Sequence, residues 1–353
     1  MLPDFVQSRV DLSARNTLAL PAKAEFLATL TETGQLAELV AHPEFRHRPR
    51  FILGGGSNVV LADDFPGLMI AVALRGRACL QVDDDACTIA AAAGENWQDF
   101  VQWTLEAGYP GLENLSLIPG TVGAAPVQNI GAYGLEAGEL IDHLEAVDLQ
   151  DGKTRRFTAD DCAFGYRHSL FKREGWHLTG RMLITQVVFR LPRRWQPRMT
   201  YGEVAAELDR AGVAHPDPKQ MAHAIVRLRR KKLPDPAVLP NAGSFFQNPL
   251  VSAAFAAALA SAHPTLPCYP QADGRVKLAA GWLIEQVGWK GRNLGRAGMY
   301  ENQALVLVNR GGAEGGDVLN LSRAVREAVF ARFGVHLVPE PVVVRSSGNK
   351  TAR

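Results

Sequence analysis

Long apolar runs, paired cysteines and an excess of charge of either sign are all missing from this sequence. No stretch approaches the ~20 apolar residues that span a bilayer, so no membrane insertion is expected. The opening residues MLPDFVQSRVDLSARN lack a basic start followed by an apolar run, and no signal peptide is expected. Cys79, Cys87, Cys162 and Cys268 are scattered with no CxxC pair, which argues against a zinc site or a redox couple. Four such thiols fit a reducing compartment, and a cytoplasmic location is expected. Lys and Arg number 38 against 36 Asp and Glu, a net charge of +2, so coating nucleic acid is not its business. No HExxH, paired histidine or carboxylate cluster suggests a metal. GxGxxG, GxxxxGK and GxSxG are absent too, which speaks against a Rossmann domain, a phosphate loop and a hydrolase elbow.

What is present suits a globular protein. The chain has 353 residues, 47% hydrophobic and 21% charged, enough for two or three domains with a sizeable core. FILGGGSNVVLADD reads as strand, tight turn, strand, and LMIAVAL and CTIAAAA as further strands. NWQDFVQWTLEAG predicts a helix with Phe100, Val101, Thr104 and Leu105 on one side and Gly108 at its end. Past residue 195 the spacing predicts more helices: PKQMAHAIVRLRRKK with Met221, Ile225 and Leu228 aligned, VSAAFAAALASA, and GDVLNLSRAVREAVFARFG. An α+β chain is expected, divided near residues 192–200.

Four segments carry chemistry. Leu53-Gly54-Gly55-Gly56-Ser57-Asn58 can turn with positive φ and present several N–H groups to an anion such as a diphosphate; a plain glycine turn is the equal alternative. Tyr109–Gly134 is glycine-rich and apolar, with Glu113 as its only charge. Buried backbone needs partners, and a segment wrapping a flat ligand finds them; a loop covering a core is the alternative. Tyr166-Arg167 could set a guanidinium over a carboxylate, although such a pair is more often a surface one. Lys231-Lys232-Leu233-Pro234 leads into Asn241-Ala242-Gly243-Ser244-Phe245-Phe246-Gln247-Asn248-Pro249, where a small hydroxyl sits beside two large rings. RLRRKK itself reads first as a solvated helix face near the negative end of the helix dipole. Glu340, between two prolines, is either a turn carboxylate or a rigidly held catalytic one.

Taken together, RNTLAL, LGGGSNVVL, AGENW, GLENLSLIPGTVGAAPVQNIGAYG, FGYRHSLFK, TYGEV, KLPDP, NAGSFFQNP, YPQADGRVKLAAGWLIEQ, ENQALVLVN and PEP resemble the UDP-N-acetylenolpyruvoylglucosamine reductases, flavoenzymes of peptidoglycan precursor synthesis, over nearly the whole chain. TYGEV is similar to the longer, type I form. The resemblance implies an FAD-binding PCMH-type (vanillyl-alcohol-oxidase-like) unit over 1–198, with subdomains of about 1–75 and 76–198. A smaller α+β substrate-binding domain would occupy 199–353. It implies non-covalent FAD held by Leu53, Gly54, Gly55, Gly56, Ser57 and Asn58, and by Pro119, Gly120, Gly123, Ala124, Ala125, Gln128, Asn129, Gly131, Ala132 and Tyr133. Arg167, Ser244 and Glu340 would be catalytic: Arg167 polarising the enolpyruvyl carboxylate, Ser244 donating a proton, Glu340 assisting at the enol ether. Tyr166, Tyr201, Lys232, Asn248, Tyr269 and Gln303 would hold UDP-N-acetylglucosamine enolpyruvate, with NADPH as reductant and no metal. A monomer without nucleic-acid partners is expected. Ala124-Ala125 depart from the serines some relatives carry, which removes a side-chain hydrogen bond to the flavin but leaves the backbone groups. Rival readings are another flavin oxidoreductase of the same fold acting on a hydroxy acid or alcohol, and a non-catalytic UDP-sugar binder. The first would want a histidine base, and none is persuasively placed; the second has no use for Arg167, Ser244 and Glu340 together.

Overall fold

The computed structural model describes residues 1–199, 201–346 and 350–351; Thr200, the first residue of TYGEV, lies outside the described residues. Packing divides the chain into two units. One comprises Met1–Val10, Ala24–Gly56 and Phe65–Arg230, and the other Asp11–Lys23, Ser57–Asp64 and Lys231–Arg353.

Two larger sheets build the first unit. One runs in the order Val6–Asp11, Lys23–Leu30, Phe65–Val72, Arg50–Leu53. Its last two pairings are parallel, with Leu27 opposite Met69 and Ile52 opposite Ile70. Phe65–Val72 buries nearly every residue, as a central strand covered on both faces must. The other sheet is antiparallel, in the order Thr154–Thr158, Ile141–Asp148, Met182–Pro192, Ala86–Ala92, Arg77–Val82. Helix Trp97–Glu106 packs on it. Asn96 caps the helix by accepting from the Asp99 N–H, and Gly108 at φ +81° ends it. Trp97, Phe100, Val101 and Thr104 form its buried side, with Leu105 partly exposed, and the Phe100 and Phe189 rings lie 5.1 Å apart.

The strand–turn–strand at the triple glycine, the strands at LMIAVAL and CTIAAAA, and the four expected helices are all present. The strands Arg77–Val82, Ile141–Asp148, Thr154–Thr158 and Met182–Pro192 carried no clear sequence signal. Arg77–Val82 is exposed along its whole length, so it shows no alternation of polar and apolar residues.

The packing boundary also differs from the sequence division at 198/199. Helices Gly202–Arg210 and Pro218–Lys232 pack with the first unit up to Arg230, because Val204, Leu208, Met221, Ala224, Ile225 and Leu228 form one apolar cluster with Tyr133, Trp195 and Val213.

The second unit holds a sheet in the order Asn241–Ser244, Val306–Asn309, Ala297–Met299, Asn293–Leu294, and the long helix Gly315–Phe333, closed by Gly334 at φ +66°. Its strand Val342–Val344 pairs in parallel with Val59–Leu61, the strand that follows the glycine turn. Among the described residues no helix is long and apolar enough to cross a membrane, and no group of His, Cys, Asp and Glu could hold a metal. Burial pushes the Cys162 thiol up to about 12, so that sulfur is no nucleophile.

Phe100 is fully buried against Trp97 and Phe189. Phe100→Ala is expected to destabilise the protein by about 3–5 kcal/mol in a chemical-denaturation curve; a loss under about 1 kcal/mol would show that this cluster does not hold the unit together.

Candidate active site

In the first unit, the glycine turn and the Tyr109–Gly134 segment meet backbone to backbone. A Cβ on Gly54 would come within 2.8 Å of Thr121 Oγ1, and one on Gly55 within 3.0 Å of Gly120 Cα. Gly123 lies closer still to Ala93, where an added Cβ would fall 2.4 Å from the alanine Cβ. Glycine is needed here for contact as much as for torsion angle. Gly56 and Gly120 do require it by conformation, at φ +65° and +130°.

The segment is anchored at point after point. Val122 N–H donates to Glu95 O, Gly123 N–H to Ala93 O, and Trp97 N–H to Gly120 O. Leu117, at φ +60°, donates its N–H to Gln98 Oε1. The lone charge, Glu113, is buried and faces no cation. Its two oxygens accept from Gly111 N–H and Trp195 Nε1, each at 2.7 Å. Asn114 Nδ2 donates to Tyr133 O at 2.8 Å and Arg198 O at 3.1 Å. Asn129 spends its side chain on protein partners: Nδ2 on Glu136 Oε2 and Gly165 O, Oδ1 on the Gly138 N–H.

Two buried atoms in the segment, Asn114 Oδ1 and Ser116 Oγ, have no hydrogen-bond partner within the protein. Buried polar atoms left over in this way call for a ligand or ordered water. With the close-packed glycine turns, they fit a segment built to receive a polar, planar cofactor.

Arg167 sits beside this segment on the turn closed by Gly165 and His168. Its backbone is left-handed, at φ +53°, a conformation a non-glycine residue adopts only where its surroundings impose it. Its Nη2 donates to Gly131 O at 3.3 Å, and the guanidinium lies 5.3 Å from the Tyr166 ring centroid. Lys172 Nζ donates to the Arg167 carbonyl at 3.1 Å. His168 is exposed. Tyr201 packs edge-on against Tyr133, whose phenol is pushed up from its usual value by burial.

Sequence reasoning missed Arg229. Its Nε donates to Leu117 O at 3.3 Å, and its electrostatic neighbours are Tyr133 and Arg167. The signal was present, since 221, 225 and 229 fall on one face of the helix and the first two are buried. The solvated face expected for RLRRKK therefore holds for Arg227, Arg230 and Lys231, which are exposed, and not for Arg229.

The second unit gathers a second set of candidates. Ser244 ends a strand paired with Val306–Asn309, and an irregular register between Asn241 and Ser244 places Gly243 at φ +67°. Glu340 N–H donates to Phe245 O at 2.9 Å, and Pro339 bridges to Phe246, which holds the carboxylate's backbone one residue from the serine. Phe245 and Phe246 are fully buried, edge to face. Asn58 Nδ2 donates to the Glu340 carbonyl at 3.4 Å, so the end of the glycine motif is tied to this element. Asn248 Oδ1 accepts the first N–H of helix Ala280–Gln286, and Gln303 Oε1 lies 3.1 Å from where a Gly281 Cβ would be. Asn248 and Gln303 thus converge on one helix start. Tyr269 is exposed, on the strand Cys268–Pro270, and Lys232 ends its helix.

Residues 24–158 match the FAD binding domain family, and residues 235–344 match the C-terminal domain of UDP-N-acetylenolpyruvoylglucosamine reductase. With the two-sheet architecture, these define an FAD-binding oxidoreductase. The chain is 56% identical to the UDP-N-acetylenolpyruvoylglucosamine reductase of Dechloromonas aromatica, over 95% of this chain and 98% of that one. It is 55% identical to the enzyme of that name from an Azoarcus species, over 97% and 99%. The crystal structure of UDP-N-acetylenolpyruvylglucosamine reductase from Thermus caldophilus superposes with a TM-score of 0.65 at 25% identity, covering 97% of this chain and all of that one. The chain belongs to the UDP-N-acetylenolpyruvoylglucosamine reductase family.

Gly123→Ala is expected to push the segment off Ala93 and lower the FAD retained by purified protein, read as visible absorbance per chain. Full retention would show that the close approach does not shape the cofactor site.

Proposed function

We propose that the protein reduces UDP-N-acetylglucosamine enolpyruvate to UDP-N-acetylmuramate with NADPH, a step in peptidoglycan precursor synthesis, as a cytoplasmic monomer. The observation that supports the residue assignment is the hydrogen bond from Glu340 N–H to the carbonyl of buried Phe245, the residue that follows Ser244. When bound, FAD would supply the two-electron redox chemistry between NADPH and the enolpyruvyl double bond.

An enol ether resists hydride attack unless charge on the adjacent carbon can spread into the carboxylate. Arg167, with Tyr166 beside it, holds that carboxylate and stabilises the charge. Ser244 Oγ then delivers the proton to the other carbon, and Glu340 assists at the enol ether. Leu53–Asn58 and the Pro119–Tyr133 stretch hold FAD, with backbone groups at Ala124-Ala125 in place of serine hydroxyls. Tyr201, Lys232, Asn248, Tyr269 and Gln303, within the 199–353 region, hold the UDP-sugar. Asn129 serves through its backbone, since its side chain is committed elsewhere.

Ser244→Ala is expected to leave flavin reduction by NADPH unchanged and to slow reoxidation by substrate by roughly 10²–10⁴-fold, the usual worth of general-acid help. Stopped-flow measurement of the two half-reactions checks this, and equal slowing of both, or of neither, removes Ser244 from the role. NADPH and substrate are expected to bind in turn at one site, giving parallel double-reciprocal plots; intersecting plots would show both bound together.

A further inference from the structure

Three alternate residues of the Tyr109–Gly134 segment grip the turn that carries Arg167. Val127 O accepts from Ser169 Oγ, Asn129 Nδ2 donates to Gly165 O at 3.1 Å, and Gly131 O accepts from Arg167 Nη2 at 3.3 Å. The turn's own closure is slight. Gly165 N–H donates to His168 O at 3.2 Å, and His168 N–H to Gly165 O at 2.9 Å. Between them Arg167 stays at φ +53°, which a residue with a Cβ keeps only under outside constraint. Lys172 Nζ donates to its carbonyl at 3.1 Å, so the backbone is held as well as the side chain.

Of these contacts, the one from Ser169 is the least expected. Ser169 is fully buried and stands at the N-cap of the short helix Leu170–Arg173. Asn96, Thr158 and Ser252 hold the same position on their helices, and the side chain of each accepts an N–H from the first turn. Ser169 makes no such bond. Its hydroxyl donates instead to a carbonyl 42 residues earlier in the chain. The helix goes without a side-chain cap, and the Arg167 turn is tied to the segment.

We propose that Ser169 is a positioning residue for the reaction: its bond to Val127 sets where the Arg167 guanidinium stands relative to the flavin. The proposal rests on the reading of Arg167 as the group that holds the enolpyruvyl carboxylate, and of the Pro119–Tyr133 stretch as a holder of FAD. Hydride transfer needs its reacting atoms about 3–3.5 Å apart and aligned. The segment holds one reactant and Arg167 the other, so a turn anchored on that segment keeps both in one frame. Without the Ser169 bond, Arg167 keeps its charge and its hold on the carboxylate. What it loses is a fixed distance from the ring. Substrate still binds, and the hydride step slows.

The test is a double-mutant cycle on Ser169→Ala and Arg167→Ala, read in the two half-reactions by stopped flow. Ser169→Ala is expected to retain FAD, its reduction by NADPH and the substrate KM. Reoxidation by saturating substrate should slow roughly 10–10²-fold, the cost of a misplacement of about 1 Å. Added to Arg167→Ala, the serine change should slow reoxidation no further, because it acts through that guanidinium. A further slowing of the same size would make Ser169 merely structural and overturn the proposal. So would Ser169→Ala at the wild-type rate, or a raised KM with the saturated rate unchanged. Arg167→Ala at the wild-type rate would instead sink the reading of Arg167, and this role for Ser169 with it. Amide hydrogen exchange of the holoenzyme gives a readout apart from activity. Gly165 and His168 should exchange roughly tenfold faster in Ser169→Ala, as loss of one buried hydrogen bond implies, while Val122 and Gly123 keep their protection. Unchanged exchange at the turn overturns the proposal. Should Ser169→Ala fail to fold, the wild type decides. Its turn amides should open together with those of Asn129 and Ile130, and a turn that exchanges like an unprotected loop overturns the proposal.

Discussion

A stretch of backbone with almost no regular structure has to be housed in the first unit, and much else follows from how it is satisfied. Tyr109–Gly134 carries one charge and many glycines, and most of it is withdrawn from solvent. Its amides and carbonyls therefore need partners from the protein or from a ligand. The protein supplies part of the answer through Glu95, Gln98, Glu113, Asn114 and Asn129, none of which makes an ion pair with the segment. Two side-chain atoms of the segment, Asn114 Oδ1 and Ser116 Oγ, are buried without a protein partner. A segment pinned this tightly can present backbone groups to a flat ring at fixed positions, which side chains on a flexible loop could not do.

The electrostatics follow from the same housing. Structural carboxylates are paired outward or fully hydrogen-bonded. Glu95 meets Arg77 at 3.0 Å, and buried Asp148 meets Arg181 at 2.9 Å. Asp148 is held below the ordinary carboxylate range even though burial alone would raise it, because its bonds to Arg181, Gln150 and Arg155 outweigh the desolvation. Two desolvated arginines have carbonyl partners only: Arg50 donates to Leu149 O and Phe45 O, and Arg229 to Leu117 O.

Much of the fold was legible in the sequence. The glycine turn, the capped helix after Asn96 and the helix ending before Leu233-Pro234 all follow from local rules of conformation and capping. The antiparallel strands of the second sheet were not legible. Met182–Pro192 is nearly all buried and alternates no more than a buried helix segment would, while Arg77–Val82 is nearly all exposed. Periodicity cannot distinguish such segments without knowing their neighbours. The packing units differ from the division near 192–200 for a related reason. The cluster that draws residues 202–230 to the first unit includes Tyr133, distant in sequence from the helices it covers.

The chemistry divides along the same line. The sequence alone carried the residue types and their order: three glycines before a serine and asparagine, an apolar wrapping segment, a tyrosine–arginine pair, a serine before two phenylalanines, a glutamate between prolines. Those are local signals, and they were enough to point to the family. Only the tertiary structure could show that Glu113 holds a tryptophan and does not face solvent, or that Asn129 spends its amide on the protein. The same is true of Arg229, which leaves a basic helix end to meet the cofactor segment. Each of these depends on partners brought together from distant parts of the chain, and a charged side chain's role is set by what it meets there.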